Sequence, residues 1–112
     1  MTRSIKKTKL VKTQDWGMHA SLLLCPSCGS FYLHHSKITA FDRGEDSTTA
    51  VRIEVLNGQI AVNPLDRGDA NPSLRRDGVT IDFWCEGCGS EPITLTIGQH
   101  KGMTEIGWVH AA

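Results

Sequence analysis

The sequence predicts a small all-β domain, and three observations support this prediction. Apolar residues alternate with polar ones along several segments, which is the period of a half-buried β-strand. The dipeptide Asn57-Gly58 lies between two such segments and is the strongest short signal for a hairpin turn. No stretch shows apolar residues at i, i+3, i+4 and i+7 together with a cap, and the weak helical candidate covers residues 14–24. A chain of 112 residues is expected to form one domain.

Charge is distributed unevenly along the chain, although its formal sum is zero. Residues 1–12 carry five basic side chains and no acidic one, whereas residues 13–112 carry seven basic and twelve acidic ones, a formal charge of −5. We therefore predict a flexible basic N-terminal arm over residues 1–18 and a single β domain over residues 19–112. The arm suits a contact with nucleic acid or with an acidic protein surface, or it is a solvated start of the chain. Its basic residues are Arg3, Lys6, Lys7, Lys9 and Lys12.

Two strand signals open the predicted domain. A short apolar run covers residues 19–24, and a longer alternating segment covers residues 30–42. His35 and Lys37 interrupt the apolar positions of the longer segment, so we expect a bend or a bulge there. A polar turn at residues 43–47 follows it.

The middle of the chain predicts a β-hairpin over residues 49–63, followed by a long loop. Apolar residues alternate with polar ones on both sides of Asn57-Gly58. Residues 63–78 contain two Asn-Pro steps and two glycines without a strand period, which predicts an irregular loop. The alternating apolar residues of the hairpin are Val51, Ile53, Val55, Ile60 and Val62.

Three further strand signals follow the loop. The first runs from Val79 into Cys85, and the second covers residues 93–97. Residues 98–102 form a turn, and a last strand contains Ile106 and Trp108. The domain is thus predicted to be a set of short antiparallel strands with turns between them.

The four cysteines of the chain stand in two copies of one motif, Cys-x-x-Cys-Gly. In a zinc knuckle, two thiolates of one tight turn bind the same metal, and the glycine supplies a positive φ. Two knuckles provide the four sulfurs of a closed tetrahedral site, so we predict one structural Zn(II) ion with each knuckle at the turn of a β-hairpin. The predicted ligands are Cys25, Cys28, Cys85 and Cys88.

The compartment prediction supports metal binding over disulfide formation. No apolar run is long enough to span a membrane, and no apolar segment follows the basic N-terminus as it would in a secretory signal. We therefore expect a cytoplasmic protein without a membrane partner. Thiols in that reducing compartment remain free to bind metal.

The knuckles CPSCG and CEGCG resemble those of the zinc-ribbon superfamily. The wider pattern NPSLRRDG…FWCEGCG…QHKG is similar to small uncharacterised zinc-ribbon proteins of bacteria and their mobile elements, including phages. The resemblance implies four cysteine ligands and no catalytic residue. Compact ribbons separate their knuckles by about 15–20 residues, whereas 56 residues lie between Cys28 and Cys85. We therefore expect a zinc ribbon enlarged by an inserted hairpin and a long loop.

Other chemistries were weighed against the four-thiolate site. A histidine ligand, from His34, His35 or His100, would require a cysteine to leave the metal. Zinc deaminases need an H-x-E element, which this sequence lacks, and a thioredoxin-like motif needs a helix after its cysteines. A metal-dependent enzyme would have to assemble histidines and acidic residues that spacing alone does not bring together.

These observations favour a non-catalytic zinc-binding module that acts through a macromolecular partner, as a regulator, adaptor or inhibitor. A protein partner is favoured because the body of the chain is acidic, and no small-molecule substrate is expected. The alternatives are a nucleic-acid-binding protein, which would use the basic arm, and a small metal-dependent enzyme. Tyr32, Trp84 and Trp108 are candidates for stacking on bases, and a tryptophan beside a knuckle, such as Trp84, is favoured instead as a hydrophobic shield over the metal site.

Overall fold

A computed structural model of the chain describes residues 9–89 and 92–110. Every regular element in these residues is a β-strand, which confirms the predicted all-β class. The strands are β1 (Thr13–Asp15), β2 (Ser21–Leu23), β3 (Leu33–Asp42), β4 (Ala50–Leu56), β5 (Gln59–Asp66), β6 (Gly78–Cys85), β7 (Ile93–His100) and β8 (Met103–His110).

The strands form two antiparallel sheets. Strands β1 and β2 pair with each other, and the other six form one sheet in the order β5-β4-β3-β6-β7-β8. The central pairing of β3 with β6 joins strands that are distant in sequence, and it sets Leu33 opposite Cys85. This pairing brings the chain segments that carry the two knuckles to one end of the large sheet.

The predicted irregularity in the first long strand is confirmed. The pairing of β3 with β6 shifts register between His35 and Ile38. After the shift, Ile38 pairs with Ile81 and Ala40 pairs with Val79, so apolar side chains again lie on the same face of the sheet.

The predicted central hairpin is confirmed, and its second strand is longer than predicted. Asn57 and Gly58 have φ values of 52° and 76°, as a type I′ turn requires. Strand β5 continues through Asn63 and Pro64 to Asp66, so the prediction of an irregular loop from residue 63 was wrong for its first residues. Proline is tolerated there because β5 is an edge strand of the sheet.

The chain before the first knuckle forms a short β-hairpin. Strands β1 and β2 pair in register from Thr13 with Leu23 to Asp15 with Ser21, so the helical candidate at 14–24 was wrong. Lys9 forms an isolated bridge with Trp108 of β8, and the Trp108 N–H donates to the Lys9 carbonyl over 3.1 Å. Lys9, Lys12 and residues 13–15 of the predicted arm are therefore hydrogen-bonded to other segments of the chain, and residues 1–8 lie outside the described residues.

The large sheet has one apolar face, which consists of two rows of six residues. Each row runs across the sheet and takes one residue from each of the six strands. Strand pairing aligns each row across the whole sheet, and neither row contains a charged residue. We call these twelve positions the apolar face. One row is Ile60, Val55, Ile38, Ile81, Leu95 and Trp108, and the other is Val62, Ile53, Ala40, Val79, Ile97 and Ile106.

A buried core lies at the β7–β8 end of the apolar face. Trp108 is 1% exposed and its ring packs edge-on against Phe83, with centroids 5.6 Å apart. Val11 and Leu23, from the N-terminal segment and β2, pack against this core. Its buried members are Cys25, Cys85, Ile93, Leu95 and Trp108.

The segment between β5 and β6 packs on the opposite, polar face. Gly78 and Gly98 are paired across β6 and β7. A methyl group at Gly78 would collide with Asn71 and Pro72, and one at Gly98 would make tight contacts with the backbone of residues 72 and 73. The two glycines therefore let the buried Asn71 and Ser73 lie close against the sheet. The Ser73 hydroxyl donates to the Gln99 carbonyl over 2.7 Å.

Ion pairs tie this segment to the turn between β3 and β4. Arg75 donates to the carboxylate of Asp46 over 2.9 Å, and Arg76 donates to that of Glu45 over 2.7 Å. The Arg75 hydrogen bond holds the pKa of Asp46 below its usual value. The positive charges at residues 75 and 76 are thus neutralised by acidic residues of the turn, which leaves little free charge there for phosphate.

Within the described residues, none of the chain folds into the long apolar helix that a membrane span requires.

Candidate metal centre

The four cysteines predicted as ligands lie together, and their sulfur atoms are all within 4.8 Å of one another. The Sγ atoms of Cys25 and Cys88 are 3.9 Å apart, and those of Cys28 and Cys85 are 3.7 Å apart. Four sulfurs bound at about 2.3 Å to one tetrahedral ion lie about 3.8 Å from each other. The cluster is therefore arranged to hold one metal ion.

These distances distinguish a metal site from disulfides. A disulfide bond sets its sulfurs about 2.05 Å apart, and all four cysteines are free thiols in the structure. The two close pairs also join different knuckles, since Cys25 meets Cys88 and Cys28 meets Cys85. One ion among the four sulfurs would thus link chain segments about sixty residues apart.

Different strands position the two knuckles. The second knuckle connects β6 to β7, which pair with each other, so it lies at a hairpin turn as predicted. The first knuckle connects β2 to β3, which lie in different sheets, so the prediction of a hairpin turn was wrong there. Strand β2 pairs with β1 instead, and the start of β3 next to the knuckle pairs with β6. The pairing of Leu33 with Cys85 then sets the two knuckles side by side.

The two turns have the same internal hydrogen bonds. The N–H groups of Ser27 and Gly87 donate to the sulfurs of Cys25 and Cys85 over 3.4 and 3.3 Å. Gly29 and Gly89 have φ values of 80° and 57°, which confirms the conformation predicted for the glycine after each pair. Backbone N–H groups aimed at sulfur stabilise thiolate over thiol.

Burial of the ligands also repeats between the knuckles. The first cysteine of each pair, Cys25 or Cys85, is buried in the core, and the second, Cys28 or Cys88, is exposed. The site therefore lies at the boundary between the core and the solvent. An ion bound there would link the two knuckles and so stabilise the core at this end of the sheet.

The thiols lie within hydrogen-bond distance of one another across the two knuckles. A backbone hydrogen bond at Ser30 lowers the pKa of Cys28, but desolvation and hydrogen bonds to the other three cysteines raise it to about 12. A metal ion must therefore displace protons when it binds, and its affinity falls as the pH is lowered.

The histidines near the first knuckle have other neighbours. The His34 ring stacks on Trp84 with centroids 4.3 Å apart, and its Nε2 atom hydrogen-bonds to the Glu86 carboxylate. His35 makes an edge contact with Phe83. Among the described residues, the cluster suited to metal contains the four cysteines and no histidine.

The aromatic residues considered for base stacking differ in exposure. Trp108 is buried in the core, so it offers no surface for base stacking. Trp84 and Tyr32 are about half exposed. Trp84 stacks on His34, and the Glu86 carboxylate bound to that ring places negative charge beside it.

The basic residues predicted for nucleic-acid contact are only partly within the described chain. Arg3, Lys6 and Lys7 lie outside the described residues. The ammonium group of Lys9 donates to the Pro26 carbonyl over 3.1 Å, at the first knuckle. Lys9 and Lys12 line an open surface pocket of about 490 Å³ beside that knuckle.

Comparisons of the chain with protein-family models, with curated proteins and with solved structures gave no match. The resemblance to the zinc-ribbon superfamily therefore stays a prediction. The metal centre is supported by the positions of the four cysteines.

The apolar face is the feature that the sequence analysis did not connect with function. Its residues on β4 and β5 alternate with polar ones, and this period was interpreted as the pattern of a half-buried strand. In the structure Ile53, Val55, Ile60 and Val62 are exposed. The sequence period identifies such a face, but whether the face is covered depends on the strand order.

Replacing His34 by alanine is expected to leave the metal content unchanged, because its ring contacts Trp84 and Glu86 rather than the sulfurs. The measurement is the metal-to-protein ratio by elemental analysis after purification under reducing conditions. His35→Ala serves as the matched control on the neighbouring position. A loss of metal in the His34 variant, with Cys28 and Cys88 intact, would show that histidine is a ligand.

Proposed function

We propose that the four cysteines hold one structural Zn(II) ion and that the chain is a non-catalytic module that works through a protein partner. Four thiolates in a tetrahedral arrangement select zinc or iron over the hard cations. Zinc is favoured because it has no redox chemistry and takes this geometry in closed structural sites. A regulatory, adaptor or inhibitory role fits a small module of this kind.

The absence of catalysis is proposed from the number of ligands. A catalytic zinc ion keeps a coordination position open for water or substrate, and it has three protein ligands. Here four sulfurs lie at distances suited to one ion, so they would fill its tetrahedral shell. His34, a candidate for an acid–base group near the first knuckle, is exposed and hydrogen-bonds to the Glu86 carboxylate.

The observation that favours a protein partner is the exposed part of the apolar face. Ile53, Val55, Ile60 and Val62 are all exposed, and they are neighbours on the paired strands β4 and β5. Contiguous apolar patches of several hundred Å² on a small protein typically mark interfaces with other proteins. A nucleic-acid interface would instead concentrate positive charge, and the residues 13–112 have a formal charge of −5.

The test compares protein and nucleic acid as partners of the zinc-loaded full chain. A tagged chain is used in pull-downs with mass spectrometry, and an untagged copy of the same chain is present in the lysate. Fluorescence anisotropy with duplex and single-stranded oligonucleotides is measured at two salt concentrations. We expect the tagged chain to recover a protein in stoichiometric amount, and the untagged copy of the chain counts as such a protein. We expect no oligonucleotide binding at low salt.

The opposite result would be oligonucleotide binding that weakens steeply with salt, disappears when residues 1–12 are deleted, and occurs without any stoichiometric protein. That outcome would contradict the proposed function and support the nucleic-acid alternative.

A further inference from the structure

We propose that a second copy of this chain covers the exposed part of the apolar face, so that two large sheets pack face to face in a symmetric dimer. This inference rests on the proposed function, since it names the first protein partner of the module. It concerns the surface formed by β3, β4 and β5, at the opposite edge of the sheet from β8.

Exposure rises from β8 to β5 along the first row of the apolar face. In the first row, Trp108 on β8 is 1% exposed, whereas Ile60 on β5 is 71% exposed. Val62, the β5 member of the second row, is 60% exposed. The N-terminal hairpin and its flanking residues pack at the β8 end of the face, through Val11 and Leu23. The β7–β8 part of the first row is thus covered, and the β4–β5 part of both rows is open. Ile106, the β8 member of the second row, is also exposed.

The open area matches what a dimer interface needs. Fully burying one isoleucine or valine side chain removes about 60–120 Å² of apolar surface from water. The four exposed side chains on β4 and β5 and their partly buried neighbours therefore present on the order of 400 Å² of apolar surface per chain. A standard interface buries about 800 Å² per partner, of which somewhat more than half is apolar.

The side chains of the apolar face are suited to packing against a second copy of the same face. The two rows carry no charge that would select a partner of opposite sign, and their members are branched aliphatic residues on β4 and β5. The undescribed residues 1–8 are a poor cover, because they contain three basic residues and only Met1 and Ile5 as apolar ones. A second copy brings the same charge-free aliphatic rows.

The fold also allows the required symmetry. A two-fold axis that runs parallel to the strands, close to β4, places the β3–β5 part of one apolar face against the same part of the other. The two N-terminal hairpins then lie at opposite ends of the interface and do not collide. Sheets packed in this way are about 10 Å apart with strand directions within about 30°, and each contact occurs twice.

Sedimentation velocity and light scattering on the zinc-loaded full chain test this proposal. We expect a mass of twice the 12.3 kDa of one chain at micromolar concentrations. Val62→Lys places a charge within the interface and is expected to weaken the dimer at least about 100-fold. Ala61→Lys is the matched control, because Ala61 is an exposed neighbour on the other face of the same strand.

Each outcome decides the proposal. A wild-type dimer that Val62→Lys dissociates and Ala61→Lys preserves, with both variants folded and metal-loaded, supports it. A wild-type monomer overturns it, and so does a dimer that tolerates both lysines, since that dimer would form through a strand edge. If a variant without residues 1–8 dimerises while the full chain does not, the terminus covers the face instead. Pull-down of a different protein by a monomeric chain would leave the proposed function standing while the dimer fails.

Discussion

Replacing Cys88 by serine is expected to destabilise the protein almost as strongly as replacing Cys85. Cys85 is buried in the core and Cys88 is exposed, so the two cysteines differ in packing but share the proposed metal. Bound structural zinc contributes about 10–16 kcal/mol of apparent free energy in small domains, which is comparable to the whole stability of an ordinary domain. Loss of one ligand should therefore unfold the chain or lower its melting temperature by about 20 °C or more.

The measurement is thermal unfolding by circular dichroism together with metal content, for Cys85→Ser, Cys88→Ser and a control. Ser27→Ala is the control, because Ser27 is exposed in the first knuckle and its backbone N–H, which donates to Cys25, is kept. If the cysteines acted only by packing, Cys85→Ser would be damaging and Cys88→Ser would be close to neutral. That result would contradict a metal shared by the four sulfurs.

Replacing Trp108 by alanine is expected to lower the free energy of unfolding by about 3–5 kcal/mol, the usual cost of removing a large aromatic side chain from a core. Trp108 is 1% exposed, packs against Phe83, and lies in the core cluster that contains Cys25 and Cys85. Its removal leaves a cavity directly behind the knuckles. The N-terminal segment should loosen as well, because Val11 and Leu23 pack on the same core.

Chemical denaturation of the zinc-loaded protein measures this cost, with Trp84→Ala as the matched control. Trp84 is 48% exposed and its described ring contact is with His34, so we expect its removal to cost about 1 kcal/mol. Equal losses of stability in the two variants would contradict the placement of the core on the face that carries Trp108.

Much of the fold follows from local patterns. Asn57-Gly58 predicts the β4–β5 turn because both residues accept a positive φ, and the interruption at His35 and Lys37 predicts the register shift in β3. The two Cys-x-x-Cys-Gly motifs identify the site residues, since thiolate geometry fixes both the spacing and the glycine.

Other parts of the fold depend on tertiary context and were missed for that reason. Strands β1 and β2 have three residues each, too few for a period, and they form where the segment packs on Trp108. The extension of β5 through Pro64 requires an edge position, which no local pattern reveals.

The open β4–β5 part of the apolar face depends on strand order. The non-local pairing of β3 with β6 leaves the β4–β5 hairpin at one side of the sheet and the N-terminal hairpin at the other. Alternation alone predicts two faces for each strand. It does not predict on which strands another segment of the chain packs, so the exposure of Ile60 and Val62 is seen only in the structure.

Metal analysis combined with X-ray absorption spectroscopy tests the central claim most directly. On protein purified under reducing conditions, we expect one zinc ion per chain with four sulfur neighbours at about 2.3 Å. A metal-free protein that remains folded, or an ion with nitrogen or oxygen neighbours in place of sulfur, would contradict a centre built from Cys25, Cys28, Cys85 and Cys88.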